Sequence, residues 1–103
     1  MDNELKEFWE ACGLKQCKDS NTFWYPDEEK YDRAPDLTLD NLHKYAEKLL
    51  LEKGYVIDCE STKYHTTVMI YIDTYRNNMI AKEKCDDKKK ALYEALKKAL
   101  GVE

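Results

Sequence analysis

Apolar residues recur along this chain with two different periods, and each change of period marks an element. Leu5, Phe8, Trp9 and Cys12 are spaced i, i+3, i+4, i+7, which predicts a helix with one buried face. Asp2 or Asn3 suits its start, and Gly13 followed by Leu14 suits its stop. Residues 15–21 are polar and read as a connection. Thr22-Phe23-Trp24-Tyr25 is β-branched and aromatic, so it reads as a short strand that Pro26 ends or confines to an edge. Residues 27–35 read as a charged loop containing Glu28, Glu29, Lys30, Asp32 and Arg33.

The second helix has the clearest start. Thr38 is a good N-cap, with Leu37 before it and Leu42 after it at the positions of a hydrophobic staple. Leu39, Leu42, Tyr45, Ala46, Leu49 and Leu50 then form one stripe, and the helix should span about residues 39–53, closed by Gly54. From Tyr55 to Ser61 the period falls to two, with Tyr55, Ile57 and Cys59 alternating against Val56, Asp58 and Glu60. Ser61-Thr62-Lys63 makes a tight link. Residues 64–75 alternate again, with Thr66, Val68, Ile70 and Ile72 on one face and His65, Thr67, Met69, Tyr71 and Asp73 on the other. Both faces are partly apolar, which predicts a central strand with cover on both sides. Arg76-Asn77-Asn78 signals a turn, and Met79 to Lys84 reads as a short, lysine-flanked edge strand. Asp86 or Asp87 opens a last helix whose buried stripe is Ala91, Leu92, Ala95, Leu96, Ala99 and Leu100, with lysines mostly outside it.

The order is α–β–α–β–β–β–α. Short links between the last three strands imply an antiparallel meander. The expected class is therefore α+β: a three- to four-stranded, mainly antiparallel sheet with helices packed on it as a helix–sheet–helix sandwich. At 103 residues, positions 1–103 form a single domain with one core.

Composition narrows the function classes. The net charge of −4 excludes a generally basic, DNA-coating protein. The charge is uneven: residues 1–36 carry 10 acids and 5 bases, residues 37–61 carry 5 and 3, and residues 62–103 carry 6 and 9. The C-terminal end is thus basic and the N-terminal end acidic. No stretch approaches the ~18 apolar residues of a membrane span, and the start MDNELKEF lacks the features of a signal peptide, so a cytoplasmic protein is expected. Cys12, Cys17, Cys59 and Cys85 should then be free thiols. Their spacing contains no C-x-x-C, and His43 and His65 add no ligand pattern, so no metal or cofactor is expected. Cys12 and Cys59 read as small buried hydrophobes.

No nucleophile, metalloprotease or phosphate-loop motif is present, and no enzyme is expected. A His65–Cys59 dyad and an Asp58–Glu60 carboxylate pair both reduce to ordinary strand neighbours. Among the 8 tyrosines, Tyr45 and Tyr55 fit the core. Trp24, Tyr25, Tyr71 and Tyr75 are harder to bury together, and aromatics with a polar edge suit recognition surfaces. Two candidate sites follow. One is the aromatic–acidic loop Trp24, Tyr25, Asp27, Glu28 and Glu29, suited to a basic groove on a partner protein. The other is a nucleotide site in which Tyr71 and Tyr75 stack a base while Arg76, Lys88 and Lys89 hold phosphate.

The segment from Thr22 to Leu50, with Trp24, Pro26, Asp27, Pro35, Asp36, Leu39, Leu42, Tyr45 and Ala46, resembles the uncharacterised phage ABA-sandwich domain. ALYEALKKAL at 91–100 resembles that family's closing helix, and Glu28 stands where the family usually has glycine. The resemblance implies a phage or prophage origin and a helix–sheet–helix sandwich, and it brings no catalytic residues. Together with small size and absent motifs, it suggests a non-enzymatic inhibitor of a host component, for example an anti-CRISPR or other anti-defence protein acting by protein contact. The alternatives are a nucleotide-signal sponge and a phage accessory or assembly protein. The partners in view are a host protein, then a nucleotide small molecule, with a homodimer also open; general DNA and membranes are not expected.

Overall fold

The structure is a computed structural model, and it describes residues 3–18, 21–72 and 78–102. The class is α+β, with antiparallel strands and helices packed on them, as the periodicity predicts. The N-terminal helix, Asn3–Ala11, buries Phe8 and Trp9. It stops at Gly13, whose φ of 101° lies in the left-handed region that a side chain disfavours. Leu14 then folds back into the core.

The strands divide between two sheets. In the first, β1 (Lys15–Gln16), β2 (Thr22–Tyr25) and β3 (Lys30–Arg33) pair antiparallel in sequence order. Two of these strands lie where the sequence reads as connections. Their signal is faint because β1 is two residues long and β3 is exposed at all four positions, so neither carries a buried alternation. In the second sheet β4 (Val56–Ser61), β5 (Thr66–Tyr71) and β6 (Met79–Cys85) form the expected meander with β5 in the middle.

The middle helix runs over 39–52. Thr38 caps it, its hydroxyl accepting from the Asn41 amide. Leu42–Glu47 is π-helical, with the Lys48 amide donating to the His43 carbonyl, between the α-helical segments Leu39–Asn41 and Lys48–Glu52. Leu42, Ala46 and Leu50 are fully buried, and Leu39, Tyr45 and Leu49 flank them half-buried, so the predicted stripe holds through the wider turn. The C-terminal helix, Lys88–Leu100, is capped by Asp87, whose carboxylate accepts from the Lys89 amide, and closes on Gly101. It lies on β5 and β6 and also touches the N-terminal and middle helices.

One cluster of buried side chains joins the three helices, β2 of the first sheet and the second sheet. A chain of edge-to-face rings runs through it: Tyr93 to Phe8 at 4.9 Å, Phe8 to Trp9 at 5.0 Å, Trp9 to Tyr45 at 6.1 Å and Tyr45 to Tyr25 at 5.6 Å. It links the C-terminal helix to the first sheet. Lys97 clips the N-terminal helix to the C-terminal one by pairing with Glu4, and it also reaches Glu94 at 3.1 Å and lies over the Tyr93 ring. Cys12 is buried as expected, but Cys59 is exposed. It shares the face of Val68, yet it sits on an edge strand, while the C-terminal helix lies on β5 and β6.

Candidate functional site

The β2–β3 hairpin carries most of the residues singled out above. Its strand alternation separates them into two faces. Phe23 and Tyr25 point inward and are buried. Trp24 and Thr22 point outward and are half-buried. The register sets Lys15, Trp24 and Tyr31 side by side across three strands, with Thr22 opposite Arg33 in the next row. The Trp24 and Tyr31 rings meet at 4.7 Å, tilted by 50°. Tyr31 is 67% exposed, and Lys15 and Arg33 are exposed as well. The outer face of the first sheet is therefore an aromatic pair between two cations.

Tyr25 does not belong to that face. It is 4% exposed, rings with Tyr45, and its hydroxyl donates to the Arg33 carbonyl. Burial pushes its pKa up to about 12. Tyr25 is a core residue that fixes the hairpin, not a contact residue, because the period of two puts it opposite to Trp24.

The acidic tip is also less free than its sequence suggests. Glu28 accepts from Lys44 and lies 3.4 Å from Lys30, while Asp27 lies 3.7 Å from Lys48. The hydrogen bond from Lys44 holds the Glu28 carboxyl below the usual carboxylate range, and Glu28 in turn holds Lys44 above the usual lysine range. The tip is thus strapped to the middle helix. Glu29 is exposed and turns the chain at a φ of 49°, the left-handed region.

Two small clefts flank the Tyr25–Tyr45 pair. One, of about 150 Å³, lies between Cys12, Leu14, Lys44 and Lys48; the other, of about 200 Å³, lies between Lys30, Asp32, Arg33 and Asp36. Both fall below the ~300–1,000 Å³ of ordinary small-molecule pockets. Burial pushes the Cys12 thiol up to about 12, so it stays a neutral, unreactive thiol beside the first cleft.

Among the described residues, Tyr71, Lys88 and Lys89 of the nucleotide set are not brought together. Tyr71 lies on the outer face of the second sheet, its hydroxyl directed at the Met69 sulfur at 3.6 Å. Lys88 and Lys89 begin the helix packed on the opposite, buried face, just after Cys85, which pairs with Thr66. Five residues of strand separate Thr66 from Tyr71, about 17 Å at the usual rise. Tyr75 and Arg76 lie outside the described residues. His65 is held by Thr62 at 3.4 Å, and Cys59 faces Val68 across the ladder, so no dyad forms between them. Among the described residues no group of three His, Cys, Asp or Glu side chains is placed to hold a metal, and no helix is long and apolar enough to cross a membrane.

Sequence reasoning missed Lys15, Tyr31 and Arg33. The available signal was the Pro26-Asp27 turn with aromatic segments on both sides of it, which marks a hairpin. Comparison with known proteins finds no matching family model, no matching curated protein and no matching solved structure.

Proposed function

We propose that this chain is a non-catalytic protein that binds another protein through the outer face of β1–β3. In the finer reading, which the likeness to phage ABA-sandwich proteins supports, the partner is a component of a bacterial host, met in the host cytoplasm and inhibited by the contact, as in anti-defence proteins. The observation that carries the reading is the outward Trp24–Tyr31 pair with Arg33 in the next row. Trp, Tyr and Arg are the residue types that dominate binding energy at protein interfaces. Here the sheet already orders both rings, which lowers the entropy cost of binding. Lys15 and Arg33 flank the rings, so the surface fits an apolar patch rimmed by carboxylates. The strapped tip at Asp27 and Glu28 then acts as the hairpin's anchor.

The test is affinity capture from bacterial lysate with the wild-type chain and with a Trp24→Ala, Tyr31→Ala, Arg33→Glu variant. A stoichiometric protein held by the wild type and released by the variant is expected. A partner retained by the folded variant, or no protein partner at all, overturns the reading.

A further inference from the structure

The outer face of the second sheet sorts its side chains by strand. On this face β4 presents Val56, Asp58 and Glu60; β5 presents Tyr71, Met69 and Thr67; β6 presents Met79, Lys82 and Lys84. The register aligns them in three rows: Val56–Tyr71–Met79, Asp58–Met69–Lys82 and Glu60–Thr67–Lys84. One edge column is acidic, the middle is uncharged and mostly apolar, and the other edge is basic. The helices lie against the other face, where Thr66, Val68 and Ile70 are buried. On the outer face Thr67, Met69 and Tyr71 are half-buried and Met79 is 51% exposed, with Ile80 exposed beside it at the bulge.

This arrangement is its own complement. Turning a second copy by 180° about an axis parallel to β5, and laying it face to face on the first, sets each acidic column on the other copy's basic column. Rows stay in register: Glu60 meets Lys84, Asp58 meets Lys82, Met69 meets Met69, and Tyr71 meets Tyr71. No like-charge pair is created. The opposite choice, an axis across the strands, sets each acidic column on the other copy's acidic column and is disfavoured. Aligned face-to-face packing is one of the two ordinary ways for sheets to stack.

We infer that the chain forms a two-fold dimer through this face, with a second copy of itself as the occupant. The three rows span about 14 by 20 Å at ordinary strand spacings, roughly 300 Å² on each copy. That is well below the ~800 Å² per partner of tight interfaces, so the dimer is weak and depends on concentration. It uses a different sheet from the Trp24–Tyr31 surface, so its failure and the failure of that reading are separate results.

Sedimentation velocity of the full chain from about 10 to about 500 μM, a range set for micromolar affinity, tests the inference. The wild type should shift from monomer to dimer. Met69→Lys places two cations on the axis and should weaken dimerisation roughly a hundredfold. Lys84→Glu alone and Glu60→Lys alone should each weaken it about tenfold, because each sets like charges together twice. The combined Glu60→Lys, Lys84→Glu chain restores opposite charges across the axis and should recover the wild-type constant. These two positions are exposed, so the swap keeps the test independent of how Met69→Lys folds. A chain that stays monomeric throughout, a dimer that tolerates the single charge reversals, or a swap that fails to recover overturns the inference.

Discussion

The two sheets of this molecule use the same antiparallel pairing and arrive at opposite surfaces. In the first sheet the charges are neutralised locally: Glu28 by Lys44 and Lys30, and Asp27 by Lys48. What remains outward is an aromatic pair flanked by cations. On the outer face of the second sheet the charges are segregated strand by strand, acids on β4 and lysines on β6, with the uncharged β5 between them. A surface of the first kind suits a different molecule, because nothing on it complements itself. A surface of the second kind complements a rotated copy. Paired strands alone therefore say little about recognition; the assignment of residues to strand and face decides it.

The largest effect should come from the core that both sheets share. Trp9→Ala removes the centre of the ring chain and should cost about 3–5 kcal/mol. Amide exchange should then show both sheets losing protection in one transition; a second sheet that stays protected while the first opens would mean that the two regions fold separately. Lys97→Ala comes next. Its side chain is 11% exposed and joins the two terminal helices through Glu4 and Glu94. Loss of these charged hydrogen bonds should cost roughly 1.5–3 kcal/mol. Donation to the Glu4 carboxylate holds the Lys97 pKa above the ordinary lysine value. Its contribution is thus complete below that ordinary value and fades as pH rises through the elevated folded value. Thermal midpoints of wild type and variant should converge in strong alkali and differ at neutrality.

Smaller changes separate the two faces of β2. Tyr25→Phe removes the donation to the Arg33 carbonyl and should cost about 0.5–1.5 kcal/mol in denaturant titrations. It should leave partner capture intact if Trp24 and Tyr31 carry the binding. The smallest effect belongs to Lys44→Ala, which loosens the exposed strap to Glu28. The Glu28 carboxyl is held low, so its support is present above the ordinary carboxylate value and is lost as pH falls through the folded value. The thermal midpoints of variant and wild type should agree below that value, and also in about 1 M salt, where exposed pairs are screened. A difference that survives both conditions means that the strap is not electrostatic.

Much of this architecture is legible in the chain. The helix stripes, the Thr38 cap, the Asp87 cap and the β4–β6 meander follow from spacing, because each buries one face and leaves the other polar. The alternation in residues 64–75 also asks for cover on both sides; the chain buries one side of β5 and half-buries the other. The first sheet is not legible in the same way. Its flanking strands are short or wholly exposed and leave no periodic mark. The placement of Tyr25 could be read from its neighbour: once Trp24 faces out, the next residue faces in. The engagement of Glu28 by Lys44 could not, since the two lie 16 positions apart and meet only when the hairpin lands on the middle helix.

The two tryptophans are placed so that the molecule reports on itself. Trp9 is sealed inside the ring chain, and Trp24 lies half-buried on the outer face. The chain has no others. Intrinsic fluorescence therefore has two channels: a blue component that moves only when the core opens, and a redder one that responds to whatever touches the first sheet. A Trp24→Phe chain isolates the first and a Trp9→Phe chain the second, so folding and capture of a partner can be followed in the same cuvette without an attached dye.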